Sequence, residues 1–228
     1  FDRPGLGWTD AIGAQTDTPI AQAELLRAAA DQLGVRRPVV LGHSYGGAVA
    51  MAWGLRAPGD TAALVIVSGA TMPWPGTLTG WYAFLETPLG DRVGPPLLTA
   101  LAPVSLGNRI MAGIFAPQPV PPGYADYIGV GLAARRGNYR ANASQINGLR
   151  AYLRVMAPQY PRLTMPVEVI HGGQDSIVPA DIHALPLAEA LPNAALTILP
   201  DQGHMPQHGD PQAIIDAVDR ASVRAGLR

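Results

Sequence analysis

The sequence contains no cysteine and no lysine. Without Cys there are no disulfides, no thiolate metal sites, no iron–sulfur clusters and no Cys nucleophile. Without Lys, phosphate-loop and Schiff-base chemistry are excluded, and the 16 basic side chains are all Arg. Charge of either sign is sparse: charged residues are 14% of the chain and the formal net charge is −1. No basic cluster exceeds the pairs Arg36-Arg37 and Arg135-Arg136. A nucleic-acid partner would call for a basic stripe, so none is expected. No apolar run approaches the roughly 18 residues that a membrane span requires, so no membrane partner is expected either. With one His per candidate site and no Cys, a metal site is not expected, nor is any cofactor.

What is present points to a folded α/β domain. Hydrophobic residues make up 48% of 228 residues, which rules out disorder as a description of the whole chain. Short β-rich runs alternate with helical stretches, the pattern of a parallel sheet. Residues 19–33 carry Ile20, Ala23, Leu26, Ala30 and Leu33 at helical spacing, with Thr18 as N-cap and Gly34 as C′ residue. A short, fully apolar strand at 38–42 is followed by a helix at 45–57, ended by Pro58-Gly59. Residues 62–67 read as a strand buried on both faces.

The texture then changes. Between Pro73 and Pro122 stand ten prolines and few charges. Prolines at that density cut helices short. Residues 71–160 are therefore expected to form a mostly helical insertion, closing in a longer helix at 138–157. The alternation resumes with a strand at 166–171, a helix at 180–191, a strand at 194–199 and a helix at 211–225, capped by Asp210-Pro211. The domain expectation is a core of 1–70 and 161–228 with an insertion at 71–160.

The central feature is Gly42-His43-Ser44-Tyr45-Gly46-Gly47, a G-x-S-x-G pattern between a strand and a helix. A Ser at such a turn is forced into a strained backbone conformation, and its hydroxyl projects clear of the sheet. The following helix aims its N-terminal N–H groups at the same spot, which favours a developing oxyanion. Chance alone yields this three-position pattern roughly 0.08 times in a chain of this composition, and the strand-before, helix-after context sharpens it further.

A Ser hydroxyl needs a base to take its proton. Of five histidines, His43 adjoins Ser44 on the turn and is expected to diverge from it and line the site. His171 ends a strand and reads as buried support, and His183 falls on a surface helix. His204 is best placed, in Asp201-Gln202-Gly203-His204-Met205-Pro206 directly after the last strand, because ligands in open α/β sheets collect at the carboxyl ends of strands. His208 is the reserve. The base needs an acceptor to fix its tautomer. Asp175, in the loop after strand 166–171, fits that role, whereas Asp181 reads as a first-turn helix acid.

With DRPGLG at 2–7, GHSYGG at 42–47, GGQDSIVP at 172–179 and GHMPQH at 203–208, the sequence resembles the α/β-hydrolases along the whole chain except the insertion. The resemblance implies Ser44 as nucleophile, Asp175 as acid and His204 as base. It implies the Tyr45 backbone N–H as one oxyanion donor and the insertion as a helical cap over the site. In that family DRPGxG follows a fourth strand, so about 60 residues or more would precede it, including a loop with the second oxyanion donor. The strand at 38–42 is then expected to lack its inner neighbour, an aggregation hazard that a longer chain or a companion polypeptide would relieve. Without it, one missing oxyanion donor would cost about 10²–10³ in rate.

Ser at the elbow favours acyl transfer to water: hydrolysis of an ester, thioester, lactone or amide. Other chemistries fit the same three residues: carbon–carbon bond hydrolysis in a ketone, cofactor-free haloperoxidase or perhydrolase activity, and a lyase using the His as base. A small-molecule receptor that kept the fold is the non-catalytic alternative. Candidate pocket residues for a small to medium apolar substrate are His43, Trp74, Trp81, Ile177, Val178 and Met205.

Overall fold

The structure, a computed structural model, describes residues 1–10, 13, 17–76, 84, 87, 89, 90, 92, 93, 104–129, 131 and 135–227. Helix α1 (Pro19–Gln32) leads into strand β1 (Val39–His43), helix α2 (Tyr45–Arg56) and strand β2 (Ala63–Val67). After β2, α3 (Val104–Phe115), α4 (Tyr124–Tyr127) and α5 (Arg136–Met156) are followed by a 3₁₀ stretch at Ala157–Arg162. Then come β3 (Val167–Gly172), α6 (Ala184–Ala190), β4 (Ala194–Leu199), the short α7 (Pro206–Gly209) and α8 (Pro211–Arg224).

Helix boundaries follow local chemistry. The Thr18 hydroxyl accepts the Ala21 N–H at 3.0 Å and starts α1, and the Asp210 carboxylate accepts the Ala213 N–H at 3.0 Å and starts α8. Helix α6 begins four residues later than the periodicity predicts. Residues 180–183 form turns on the Pro179 carbonyl, which takes the N–H groups of Ile182 and His183, so Asp181 precedes the helix instead of lying in its first turn.

Among the described residues the four strands form one parallel sheet in the order β1-β2-β3-β4. Strand β2 is apolar on both faces because both are covered. Leu64 and Ile66 join α1, α2 and the end of α5 in one cluster, while Ala63, Val65 and Val67 pack on Ile214, Ala217 and Ala221 of α8. The α8 face also takes Glu168, only 1% exposed, whose carboxylate meets Arg220 Nε at 3.0 Å and Arg224 Nη1 at 2.6 Å.

Strand β1 is an edge among the described residues. It pairs with β2 alone, as expected for a strand that lacks its inner neighbour, and Leu41 is 46% exposed. Its open side borders a groove of about 360 Å³ lined by Phe1, Leu26, Val39, Leu41 and Trp53. At the head of the chain, the Asp2 carboxylate accepts the Trp8 N–H at 3.0 Å and fills the space where a Gly7 side chain would stand. Arg3 reaches inward. Its Nη1 donates to Gln22 of α1 at 3.1 Å and to Gln145 of α5, and the guanidinium lies 4.2 Å over the Tyr45 ring. Burial lowers the Arg3 pKa to about 10. No helix among the described residues is long and apolar enough to cross a membrane.

Candidate active site

The site gathers where β1, β3 and β4 end. Ser44 occupies the single-residue link between β1 and α2 at φ 53°, ψ −122°, a region that favours glycine. The chain holds it there by hydrogen bonds: the Ser44 N–H donates to Val67 O at 3.1 Å, and the Ser44 carbonyl accepts the N–H groups of Gly47 and Ala70. Two glycines make the tight turn possible. A Cβ on Gly42 would stand 2.1 Å from the Gly46 carbonyl oxygen, and one on Gly47 would stand 2.7 Å from Gly69 Cα. Gly46, the closing glycine of the pattern, has nothing within 4 Å of its Cβ position.

The Ser44 hydroxyl lies 3.0 Å from His204 Nε2, and His204 Nδ1 lies 2.8 Å from Asp175 Oδ2. A carboxylate accepts only, so Nδ1 carries the proton and Nε2 is left to accept from the hydroxyl. The other carboxylate oxygen, Asp175 Oδ1, takes the N–H groups of Ile177 at 2.9 Å and Val178 at 2.8 Å. Burial alone would push the Asp175 carboxyl up. Hydrogen bonds from His171 and His204, the His204 charge and the Val178 N–H outweigh it and hold the group well below the usual carboxylate range. As the first residue of α2, Tyr45 has an N–H with no carbonyl one turn back to bind, and it points from the positive end of the helix dipole beside Ser44. The Tyr45 side chain turns away, its OH donating to Asp17 O at 2.9 Å.

The loops carrying Asp175 and His204 are zipped together by backbone. The Gly173 N–H donates to Leu199 O and the Gln174 N–H to Gln202 O, each at 2.8 Å. Gly172 must lack a side chain, since its Cβ would stand 2.0 Å from the Gly203 carbonyl oxygen.

The remaining histidines divide differently from their sequence positions. His43 Nε2 donates to the His204 carbonyl at 2.8 Å, with the two rings 4.9 Å apart, so it braces the backbone of His204. Burial lowers its pKa to about 4, keeping it neutral. His171 is fully buried, with Nε2 2.7 Å from Val178 O and 3.4 Å from Asp175 Oδ2. His183, expected on a helix surface, is instead 3% exposed, and its Nδ1 accepts the Met72 N–H at 3.2 Å. The turns that delay α6 fold it inward. His208 packs on the rings of Phe115 and Tyr124.

Of the candidate pocket residues, Ile177 is exposed and Met205 is buried at the start of α7. Val178 belongs to the core cluster, and Trp74 packs against the same cluster, its ring 6.1 Å from that of His183. Trp81 lies outside the described residues.

The sequence model of the alpha/beta hydrolase fold family matches residues 1–211, and the chain belongs to this family. A relative from Klebsiella pneumoniae subsp. pneumoniae, 28% identical over 97% of this chain and 76% of its own, is named a 2-hydroxy-6-oxononadienedioate/2-hydroxy-6-oxononatrienedioate hydrolase. One from Pseudomonas putida, 28% identical over 78% of this chain and 59% of its own, is named a 2-hydroxymuconate semialdehyde hydrolase. Among solved structures, a hydrolase from Pseudomonas aeruginosa superposes with a TM-score of 0.72 at 22% identity, over 96% of this chain and 77% of its own. An esterase from Exiguobacterium antarcticum superposes with a TM-score of 0.68 at 20% identity, over 97% and 80%. At these identities the structural likeness concerns the fold.

Proposed function

We propose that the chain is a serine hydrolase acting on an acyl bond of a small to medium, mainly apolar substrate. The observation that carries this reading is the hydrogen-bonded line from Asp175 Oδ2 through His204 to the Ser44 hydroxyl, ending on a residue held at positive φ. In the mechanism, His204 Nε2 takes the Ser44 proton as the oxygen attacks the substrate carbonyl. Asp175 stabilises the imidazolium, and the Tyr45 N–H donates to the developing oxyanion. His204 then returns the proton to the leaving group. A water, deprotonated by the same Nε2, releases the acyl group from Ser44. Residues 71–160 act as the cap, and Ile177, Met205 and Trp74 contribute apolar surface toward the acyl chain. Neighbouring His43 braces the base. The open edge of β1 and the apolar groove beside it support a further strand from outside residues 1–228, which would bring a second oxyanion donor.

A second reading is favoured by the relatives' names. A 2-hydroxy-6-oxo dienedioate carries a ketone at C6, and tautomerisation of its enol to the 2-oxo form makes an electron sink. Attack of Ser44 or an activated water at C6 lets the C5–C6 bond break, its electron pair passing into the 2-oxo group as a dienolate that is then protonated. Two measurements separate the readings and test both. A fluorophosphonate probe should label Ser44, and labelling should vanish in His204→Ala. Turnover of p-nitrophenyl esters of graded acyl length, run beside a 2-hydroxy-6-oxo dienoate, should show which bond is cleaved. Ser44→Ala should lose turnover by about 10⁶. Undiminished labelling in His204→Ala, or turnover surviving in Ser44→Ala, would overturn the joint action of Ser44, His204 and Asp175. Neither labelling nor turnover of any of these substrates would leave the receptor reading standing.

A further inference from the structure

The loop that carries His204 is gripped from the side opposite Asp175 by a segment of the insertion. At the end of α3 the chain runs through Ala116 and Pro117 to Gln118. The Gln118 amide engages the loop twice: its Oε1 accepts the Gly203 N–H at 2.9 Å, and its Nε2 donates to the Asp201 carbonyl at 2.5 Å. One planar side chain thus makes the paired donor–acceptor contact that a neighbouring strand would make, on the two residues flanking Gln202. The approach is close. A Cβ on Gly203 would stand 1.9 Å from the Ala116 carbonyl oxygen, so only glycine admits the segment there. Gly209 opens the same space, with its Cβ position 1.8 Å from Gln202 Oε1 and 3.2 Å from Gln118 Cγ. Behind the segment, Phe115 is 1% exposed and stacks with Tyr124 and His208, anchoring Gln118 to the insertion on one side and to α7 on the other.

We infer that Gln118 is a positioning residue: by holding the backbone on either side of Gln202 it sets where His204 stands, so that seating of the insertion and alignment of the base are one event. The inference deepens the hydrolase reading and rests on it for its kinetic consequence. Gly203 adjoins His204, and the His204 carbonyl is already tied down by His43. The backbone of the base is then fixed on both sides of its Cα, by His43 from the nucleophile elbow and by Gln118 from the insertion. Misplacement of a catalytic group by about 1 Å costs on the order of 10²-fold in rate. A side chain that fixes the loop without touching substrate therefore acts on kcat and leaves KM in place.

The test uses Gln118→Met, which keeps the side-chain volume and loses both hydrogen bonds. A second variant, Gln118→Glu, keeps an acceptor for Gly203 and turns an anionic oxygen on the Asp201 carbonyl. Each should slow fluorophosphonate labelling of Ser44 and lower kcat by about 10- to 100-fold, with KM within about twofold of the wild type and an unchanged far-ultraviolet spectrum. In ¹⁵N-histidine samples, the downfield His204 Nδ1–H resonance should broaden or move upfield in both variants. Wild-type labelling rates with an unmoved resonance in Gln118→Met would overturn the inference. So would a kcat loss matched by loss of folded protein. The resonance also separates this inference from the hydrolase reading: a wild-type protein that shows it but is never labelled at Ser44 refutes the hydrolase, while the response to Gln118→Met still decides the role of Gln118.

Discussion

Asp175 and His204 meet at 2.8 Å, and both oxygens of that carboxylate are engaged: Oδ1 by the Ile177 and Val178 N–H groups, Oδ2 by His204, with His171 Nε2 3.4 Å from it. This predicts a specific failure in Asp175→Asn. The amide oxygen can keep the two backbone N–H groups, which places the amide NH₂ against His204 Nδ1. The imidazole must then accept at Nδ1 and carry its proton on Nε2, where it can no longer take the one from Ser44. Turnover should fall by about 10⁴ with the fold retained. Steady-state kinetics beside a thermal melt check this; wild-type-like kcat in the variant removes Asp175 from the mechanism.

The elbow makes a prediction that the motif alone does not. Gly42→Ala and Gly47→Ala should each destabilise the protein by about 3 kcal/mol or more, because their Cβ atoms would run into backbone that cannot yield. Gly46→Ala, in the same run of glycines, should change stability by no more than about 1 kcal/mol. Denaturant midpoints for the three variants order them. Equal losses at all three positions would contradict the packing described.

This contrast also marks what the sequence could tell. A strand running into Gly-His-Ser-Tyr-Gly-Gly and on into a helix was legible because the pattern is local, and so were the loops bearing Asp175 and His204, each directly after an apolar run. Which glycines the turn needs was not legible, since the atoms they avoid are set by the close approach of the loop after β2. His183 was misplaced because helical periodicity through 180–191 hides the turns on Pro179. Gln118 left no sign, because its partners lie 83 and 85 residues away and an amide in a proline-rich stretch carries no pattern. The open edge of β1 was legible only through the family resemblance of the flanking motifs, because the strand's own apolar residues do not encode whether a neighbour is present.

Glu168 sits between strand β3 and helix α8 with Arg220 and Arg224, and Arg224 also donates to Asn193 O at 2.5 Å. Replacing both arginines by Met strands a buried carboxylate. The expected loss is about 2–4 kcal/mol, at the lower end for a broken buried pair because both guanidinium groups remain partly in water. Adding Glu168→Leu to that double variant should restore most of the stability, since an apolar trio of similar volume suits this interface. Urea unfolding of the double and triple variants decides the matter. A triple variant no more stable than the double would show that the ion pairs were not the cause.

Stability should also depend on pH through histidines kept neutral by burial. His183 has its pKa lowered to about 4, by burial first and then by the neighbouring His171, against the opposing pull of Asp175 and Asp181. His43 is likewise lowered to about 4, again mainly by burial. Between pH ~6.5 and ~4 the unfolded chain binds protons at these positions that the folded chain refuses, so stability falls as pH falls, by up to about 1.4 kcal/mol per unit for each histidine. Asp175 has the opposite chemistry and the same sign: its depressed carboxyl adds stability above the ordinary carboxylate range and loses it as pH drops below about 4. His183→Asn separates these contributions. Its amide oxygen can replace Nδ1 as acceptor for the Met72 N–H, leaving the loop after β2 in place while removing one titrating group. Urea midpoints between pH 7 and 4 should then fall less steeply than in the wild type, with the loss below pH 4 unchanged. A slope identical to the wild type across that window would mean that His183 takes up its proton as readily folded as unfolded.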